Sequence, residues 1–186
     1  MGFADRYLHA VNSSDLRDDE HHHATDALCA AALADVTGAG LGSLLSRVKY
    51  ADGTQHKLFE SGSANLASLL RIWTERVIQK GRERKWLKEN TAWDADSAQK
   101  LYRRIAERSL AHWLDGKCAA CSGSGNTLDR RICVTCKGTG KAEITGAGGF
   151  ELEKVKDMVS ELEGLLQSHN ARAAGMLRGA SHTHRD

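Results

Sequence analysis

The sequence predicts a mainly α protein: a helical body, an inserted four-cysteine zinc-binding β-hairpin and a C-terminal amphipathic helix. Three observations predict it. The 186 residues include no proline and many Ala, Leu, Glu, Lys and Arg. Proline is the strongest helix breaker, and straight-chain residues lose little rotamer freedom in a helix. Apolar residues recur at three- and four-residue steps along several segments. One cysteine- and glycine-rich phrase, "CAACSGSGNTLDRRICVTCKGTG", interrupts this pattern and states the same motif twice.

Phe3, Tyr7, Leu8 and Val11 are spaced for one face of a short first helix. The polar stretch "SSDLRDDEHHHATD" leads into an Ala-rich helix from about Asp26 to Val36, which "TGAGLG" stops because glycine tolerates left-handed dihedrals. Leu41, Leu44, Leu45 and Val48 predict another short helix, closed by the turn "ADGTQH". Leu66, Leu69, Leu70, Trp73 and Val77 then form a continuous apolar stripe, interrupted at Gly81. Asp94 reads as the N-cap of the next helix, with Trp93 and Ala98 placed for a staple-like contact. Ala98, Leu101, Tyr102, Ile105, Leu110, Trp113 and Leu114 line its apolar face, and Gly116 ends it. After the cysteine phrase, "TGAGG" is a joint. Leu152, Val155, Val159, Leu162 and Leu166 follow as a heptad-like seam that docks on the body or dimerises. The resulting division is a helical body over 1–116, the zinc hairpin over 117–142, the C-terminal helix over 150–178 and a flexible tail over 179–186.

Each half of the repeated phrase reads Cys-x-x-Cys-x-Gly-x-Gly. A Cys-x-x-Cys turn presents two sulfurs to one ion, and two facing turns complete the tetrahedral shell that zinc prefers. Cys118 and Cys121 form the first knuckle, Cys133 and Cys136 the second. Gly123, Gly125, Gly138 and Gly140 let the backbone curl back and aim N–H groups at the sulfurs. "NTLDRRI" is the arm between the knuckles, with Arg130 and Arg131 exposed. A redox Cys-x-x-Cys pair needs neither duplication nor matched glycines. Four sulfurs leave no open coordination position, so one Zn2+ is expected, in a structural role. The fifth cysteine, Cys29, reads as a small buried hydrophobe.

Other chemistry has little support. Asp18, His22 and Asp26, within the run that contains His21, His22 and His23, have the i, i+4 spacing of helical metal ligands, but a solvated polar linker gives the same pattern. No catalytic triad context and no phosphate loop occurs, so no enzymatic activity is expected. No apolar run approaches the ~20 residues that span a bilayer, and the first residues lack the features of a secretory signal. A cytoplasmic protein without membrane association is expected.

The net charge is +2, but Met1 to Asp35 is acidic and Arg71 to Arg108 is basic. Two readings fit the basic segment. It is a helix-turn-helix-like unit touching phosphates, or the solvated face of a helical bundle. Beside a basic zinc hairpin it makes nucleic acid, or a nucleic-acid machine, the leading partner class; double-stranded DNA enters with the resemblance described below. Arg82, Arg84, Lys85, Arg103, Arg104, Arg130 and Arg131 are the candidate contacts.

The doubled "CAACSGSG" and "CVTCKGTG" resemble the repeat of the DnaJ-type zinc domain, which carries four copies and two zincs. This chain has two copies, enough for one, and without proline it lacks the His-Pro-Asp signature of a full DnaJ co-chaperone. The stretch "LYRRIAERSLAHWLDGKCAACSGSGNTLDRRICVTCKGTGKAEI" is similar in layout to the lambda-type Q family of phage late-gene antitermination proteins. Those proteins have a helical body and one two-knuckle zinc hairpin in the C-terminal half. The resemblance covers about a quarter of the chain; the connector here is shorter and the heptad-like tail is additional. It implies Cys118, Cys121, Cys133 and Cys136 as zinc ligands. It also implies a factor that binds DNA near a late promoter in the bacterial host cytoplasm, engages bacterial RNA polymerase and makes it insensitive to terminators. Self-association through the C-terminal helix is a further expectation. The competing reading is a DnaJ-like zinc module acting as a protein-binding adaptor or chaperone-like scaffold.

Overall fold

The computed structural model describes residues 2–13, 24–38, 40–51, 62–88, 91–146 and 148–183. Within these, α1 spans Phe3–Asn12, α2 Ala24–Val36, α3 Gly42–Ser46, α4 Gly62–Glu83, α5 Ala92–Asp115 and α6 Gly149–Thr183. A π-helical turn, Arg47–Ala51, continues α3. The chain is therefore mainly helical. Asp18, the run His21–His23 and all of the expected turn "ADGTQH" but Ala51, which ends the π-helical turn, lie outside the described residues. Two compact units are present: residues 1–71 with 163–186, and residues 72–162. The division falls inside α4 and inside α6.

In the first unit, α1, α2 and the C-terminal part of α6 share a core of Phe3, Tyr7, Ala10, Ala27, Ala30, Ala31, Ala34 and Ala173. Alanine at four positions of α2 lets the backbones approach closely. Cys29 sits on α2 as expected but is exposed, because the buried face is set by Ala27, Ala30, Ala31 and Ala34. Asp35, near the end of α2, accepts from the N–H groups of Gly42 and Ser43 at 2.9 and 3.1 Å. It thereby satisfies the orphan donors that open α3. His169 of α6 is fully buried against this corner. Its Nδ1 lies 3.2 Å from Asp35 Oδ1 without reaching hydrogen-bond geometry, and its ring meets Phe3 edge-on at 6.0 Å. A Cβ on Gly42 would run into the imidazole, so glycine is required there by close approach. Arg172 donates through Nε to the carbonyl of Ala34 at 3.3 Å.

In the second unit, Trp73 of α4 is buried and donates from Nε1 to Ser109 Oγ of α5 at 2.9 Å, and that hydroxyl donates onward to the Ala106 carbonyl. Gly81 does not interrupt α4, which continues to Glu83. It is buried where the Tyr102 ring crosses the helix, leaving no room for a side chain. The N-cap of α5 is Thr91 rather than Asp94. Thr91 Oγ1 accepts from Asp94 N–H at 3.1 Å, and Asp94 Oδ2 accepts from Thr91 N–H at 3.2 Å, a reciprocal capping box.

The seam of α6 is buried within the chain from Val155 onward, while Leu152 is half-buried. Val155, Val159 and Leu162 are buried in the second unit and Leu166 in the first, and Met158 joins them. The helix also runs to Thr183, past the boundary expected at 178. No helix among the described residues is long and apolar enough to cross a membrane.

Candidate metal centre

Helix α5 ends at Gly116 and delivers the chain directly into the cysteine segment. The entry and exit of that segment are paired. Ala142 N–H donates to the Gly116 carbonyl at 2.9 Å, Cys118 N–H to the Gly140 carbonyl at 2.8 Å, and Lys117 bridges Lys141 in antiparallel fashion. A second isolated bridge joins Asn126 to Ile132 at the far end. The β-hairpin expected from the sequence is represented by these two bridges alone, and among the described residues no strand forms. The reason is local. Ser122, Gly123 and Gly125 in one half, and Lys137, Gly138 and Gly140 in the other, all have positive φ, which is incompatible with extended backbone.

The two knuckles are built on one plan. Gly123 N–H donates to the Cys118 carbonyl at 3.2 Å, and Gly138 N–H to the Cys133 carbonyl at 3.3 Å. Ser124 and Thr139 each donate a hydroxyl to the carbonyl of the preceding cysteine, Cys121 or Cys136, at 2.7 Å. Gly125 N–H points at Cys121 Sγ and Gly140 N–H at Cys136 Sγ, both at 3.3 Å. The halves then exchange bonds. As Cys118 donates to Gly140, so Cys133 donates to Gly125, again at 2.8 Å. A Cβ on Gly125 would lie 2.5 Å from the Gly138 carbonyl oxygen, and one on Gly140 would collide with the Gly123 carbonyl. These two glycines are needed for close backbone approach as well as for dihedral freedom.

Cys118, Cys121, Cys133 and Cys136 are all buried, and their sulfurs lie within 4.8 Å of one another. Cys118 Sγ is 4.0 Å from Cys133 Sγ, and Cys121 Sγ is 3.7 Å from Cys136 Sγ. Disulfides require about 2.05 Å, and all four thiols are free. A tetrahedron with metal–sulfur bonds of about 2.3 Å has edges of about 3.8 Å. The two measured separations bracket that value, so the cluster fits a four-thiolate metal ion.

The electrostatics differ among the four. Burial pushes the Cys118 thiol up to about 11. The Cys136 N–H brings Cys133 down to about 7 against its burial. At Cys121 burial pushes up, but the Gly125 N–H and the neighbouring sulfurs outweigh it and the thiol is lowered. The folded turn thus favours thiolate at one cysteine of each knuckle, and a cation would supply what Cys118 lacks.

The cationic candidates are dispersed. Arg82 and Lys85 are exposed at the end of α4. Arg84 pairs with Asp157 at 3.5 Å, Arg103 with Glu107 at 2.9 Å and Arg104 with Glu151 at 3.5 Å. Arg108 and Lys80 are likewise paired, with Glu151 and Glu161. Acidic residues of α6 therefore meet part of the basic segment. Arg130 and Arg131 are exposed at the tip of the cysteine segment.

Sequence reasoning missed the hydroxyls of Ser124 and Thr139. Their signal was present, since the residue between the two glycines carries a hydroxyl in both halves. Comparison of the chain with protein-family models, curated proteins and solved structures yields no match.

Proposed function

We propose that the chain is a zinc-stabilised transcription factor of the antitermination type, similar to the lambda-type Q proteins, which binds double-stranded DNA and bacterial RNA polymerase in a bacterial cytoplasm. The observation that carries this reading is the doubled knuckle, with four buried sulfurs within 4.8 Å of one another, directly after the helix that carries Arg103 and Arg104. Cys118, Cys121, Cys133 and Cys136 hold one Zn2+. With every position taken by sulfur, the ion has a structural role, fixing the two turns against each other. The stem and tip bridges are the two ends of the zinc hairpin. Exposed cations around the end of α4, Arg82, Arg84 and Lys85, supply phosphate contacts together with Arg103 and Arg104 of α5; Arg84, Arg103 and Arg104 exchange carboxylate for phosphate partners.

Two measurements test the reading. Protein purified without chelators carries about one equivalent of zinc, and less than about half an equivalent with freely titratable thiols removes the metal centre. Duplex binding has an affinity whose logarithm falls with log salt by roughly 0.9 per phosphate engaged. A chain that binds no duplex even at low salt is not a DNA-binding antiterminator, and the protein-binding adaptor then replaces it.

A further inference from the structure

The metal accounts for the cysteines and glycines of the segment 117–141 but not for what its tip displays. Leu128 is 104% exposed, Ile132 68% and Val134 85%. Among the described residues eight large hydrophobics are exposed, and these three fall within seven consecutive positions. Val134 occupies the place held by Ala119 in the first knuckle, so the turn itself does not require a large apolar residue there. The tip is held in shape by its own backbone. Thr127 N–H donates to the Arg131 carbonyl at 2.8 Å, and Arg130 N–H to the Thr127 carbonyl at 2.9 Å. Three exposed cations, Arg130, Arg131 and Lys137, accompany the apolar residues against one acid, Asp129.

We infer that this tip, Leu128 to Val134, is a docking knob for a protein surface that is apolar at its centre and acidic around it. Exposed apolar side chains within seven consecutive positions, with cations among and beside them in sequence, match the composition of protein interfaces, where apolar anchors are buried centrally and charges at the rim set orientation. A pre-shaped turn also loses little freedom on docking. The same segment is poorly equipped for nucleic acid. It contains no Phe, Tyr or Trp on which a base could stack. It has neither a helix nor a two-stranded ribbon to enter a major groove, only two isolated bridges. Leucine and valine offer nothing to phosphates. Arg130 and Arg131 are thereby assigned to the rim of a protein contact rather than to DNA.

The inference rests on the antitermination reading for its probe, bacterial RNA polymerase holoenzyme. The full-length chain, the double variant Leu128→Ser/Val134→Ser and the apolar-preserving variant Leu128→Met/Val134→Ile are compared for polymerase affinity, duplex affinity and zinc content. The serine variant is expected to bind polymerase at least tenfold more weakly, with zinc content and duplex affinity unchanged, and the Met/Ile variant to bind as the parent does. If the double serine variant loses zinc, Leu128→Ser alone is judged by the same criteria. Unchanged polymerase affinity in the serine variant overturns the inference alone. So does a tenfold fall in duplex affinity with polymerase binding retained. A parent chain that does not bind polymerase at all overturns the antitermination reading and this inference together.

Discussion

The four glycines of the cysteine segment all have positive φ, yet their surroundings differ, and that difference can be measured. An alanine at any of them adopts a left-handed conformation at a cost of about 1–2 kcal/mol. At Gly123 the three atoms nearest the added Cβ all belong to the Lys117 side chain, at 3.4 Å or more, and at Gly138 it meets only Ile132 Cγ2, at 3.3 Å. Strain is then nearly the whole cost. At Gly125 the Cβ would also lie 2.5 Å from a backbone oxygen, Gly138 O. The knuckles must separate, and the bond from Cys133 N–H to the Gly125 carbonyl is lost with them. Leaving that buried donor unpaired adds about 1–3 kcal/mol. Because formation of such a site is coupled to ion binding, the cost is read as metal affinity. Gly123→Ala and Gly138→Ala should weaken zinc binding by about tenfold. Gly125→Ala and Gly140→Ala should weaken it by about 10²–10³-fold, at 1.4 kcal/mol per decade. Competition of the full-length variants against a chromophoric chelator measures all four. Equal losses across the series would refute the close-approach argument and leave the dihedral requirement alone.

Thiol reactivity should follow burial. Of the five cysteines only Cys29 is outside the cluster, and it is exposed, so a thiol reagent should titrate one group promptly in metal-loaded protein and five after chelation. Stability should fall in mild acid because of His169. Burial, with help from Arg172 and against Asp35, lowers its pKa below 6.5. The neutral ring is therefore favoured in the fold; its stabilisation is complete above pH 6.5 and is lost as pH falls through the lowered folded value. Thermal melts between pH 7.5 and 5 should show a steeper decline for the parent than for His169→Asn. Trp73→Phe removes the indole bond to Ser109, while that hydroxyl keeps its bond to Ala106. A loss of about 1–1.5 kcal/mol is expected, or a melting temperature lower by about 2–6 °C; an unchanged melting curve would show that bond to be energetically neutral.

What the sequence disclosed follows from the range of the forces involved. The four-cysteine cluster was legible because a doubled Cys-x-x-Cys phrase fixes residue type and spacing within a few positions. The stripe through Leu69, Trp73 and Val77 was legible because burial repeats with the helical period. Gly81 misled because its reason lies on another helix, at Tyr102. Cys29 misled because small alanines, not the cysteine, define the packed face of α2. The seam of α6 was followed only to Leu166, although its alternating steps continue through His169 and Ala173, both fully buried. A histidine and an alanine do not announce a core position, and the acid beside His169 lies far away in sequence. The reciprocal bonds between the knuckles were hidden for the same reason, since each glycine answers to an atom in the other half.

Lys117 and Lys141 stand opposite one another, so everything between them begins and ends at almost one point. A loop tethered in this way can be lengthened, exchanged for another of its kind, or cut out and bridged by a short turn without asking the neighbouring helices to move. The cysteine segment is thus a detachable head on a fixed neck. A graft of it onto any scaffold with two adjacent chain ends should keep its shape.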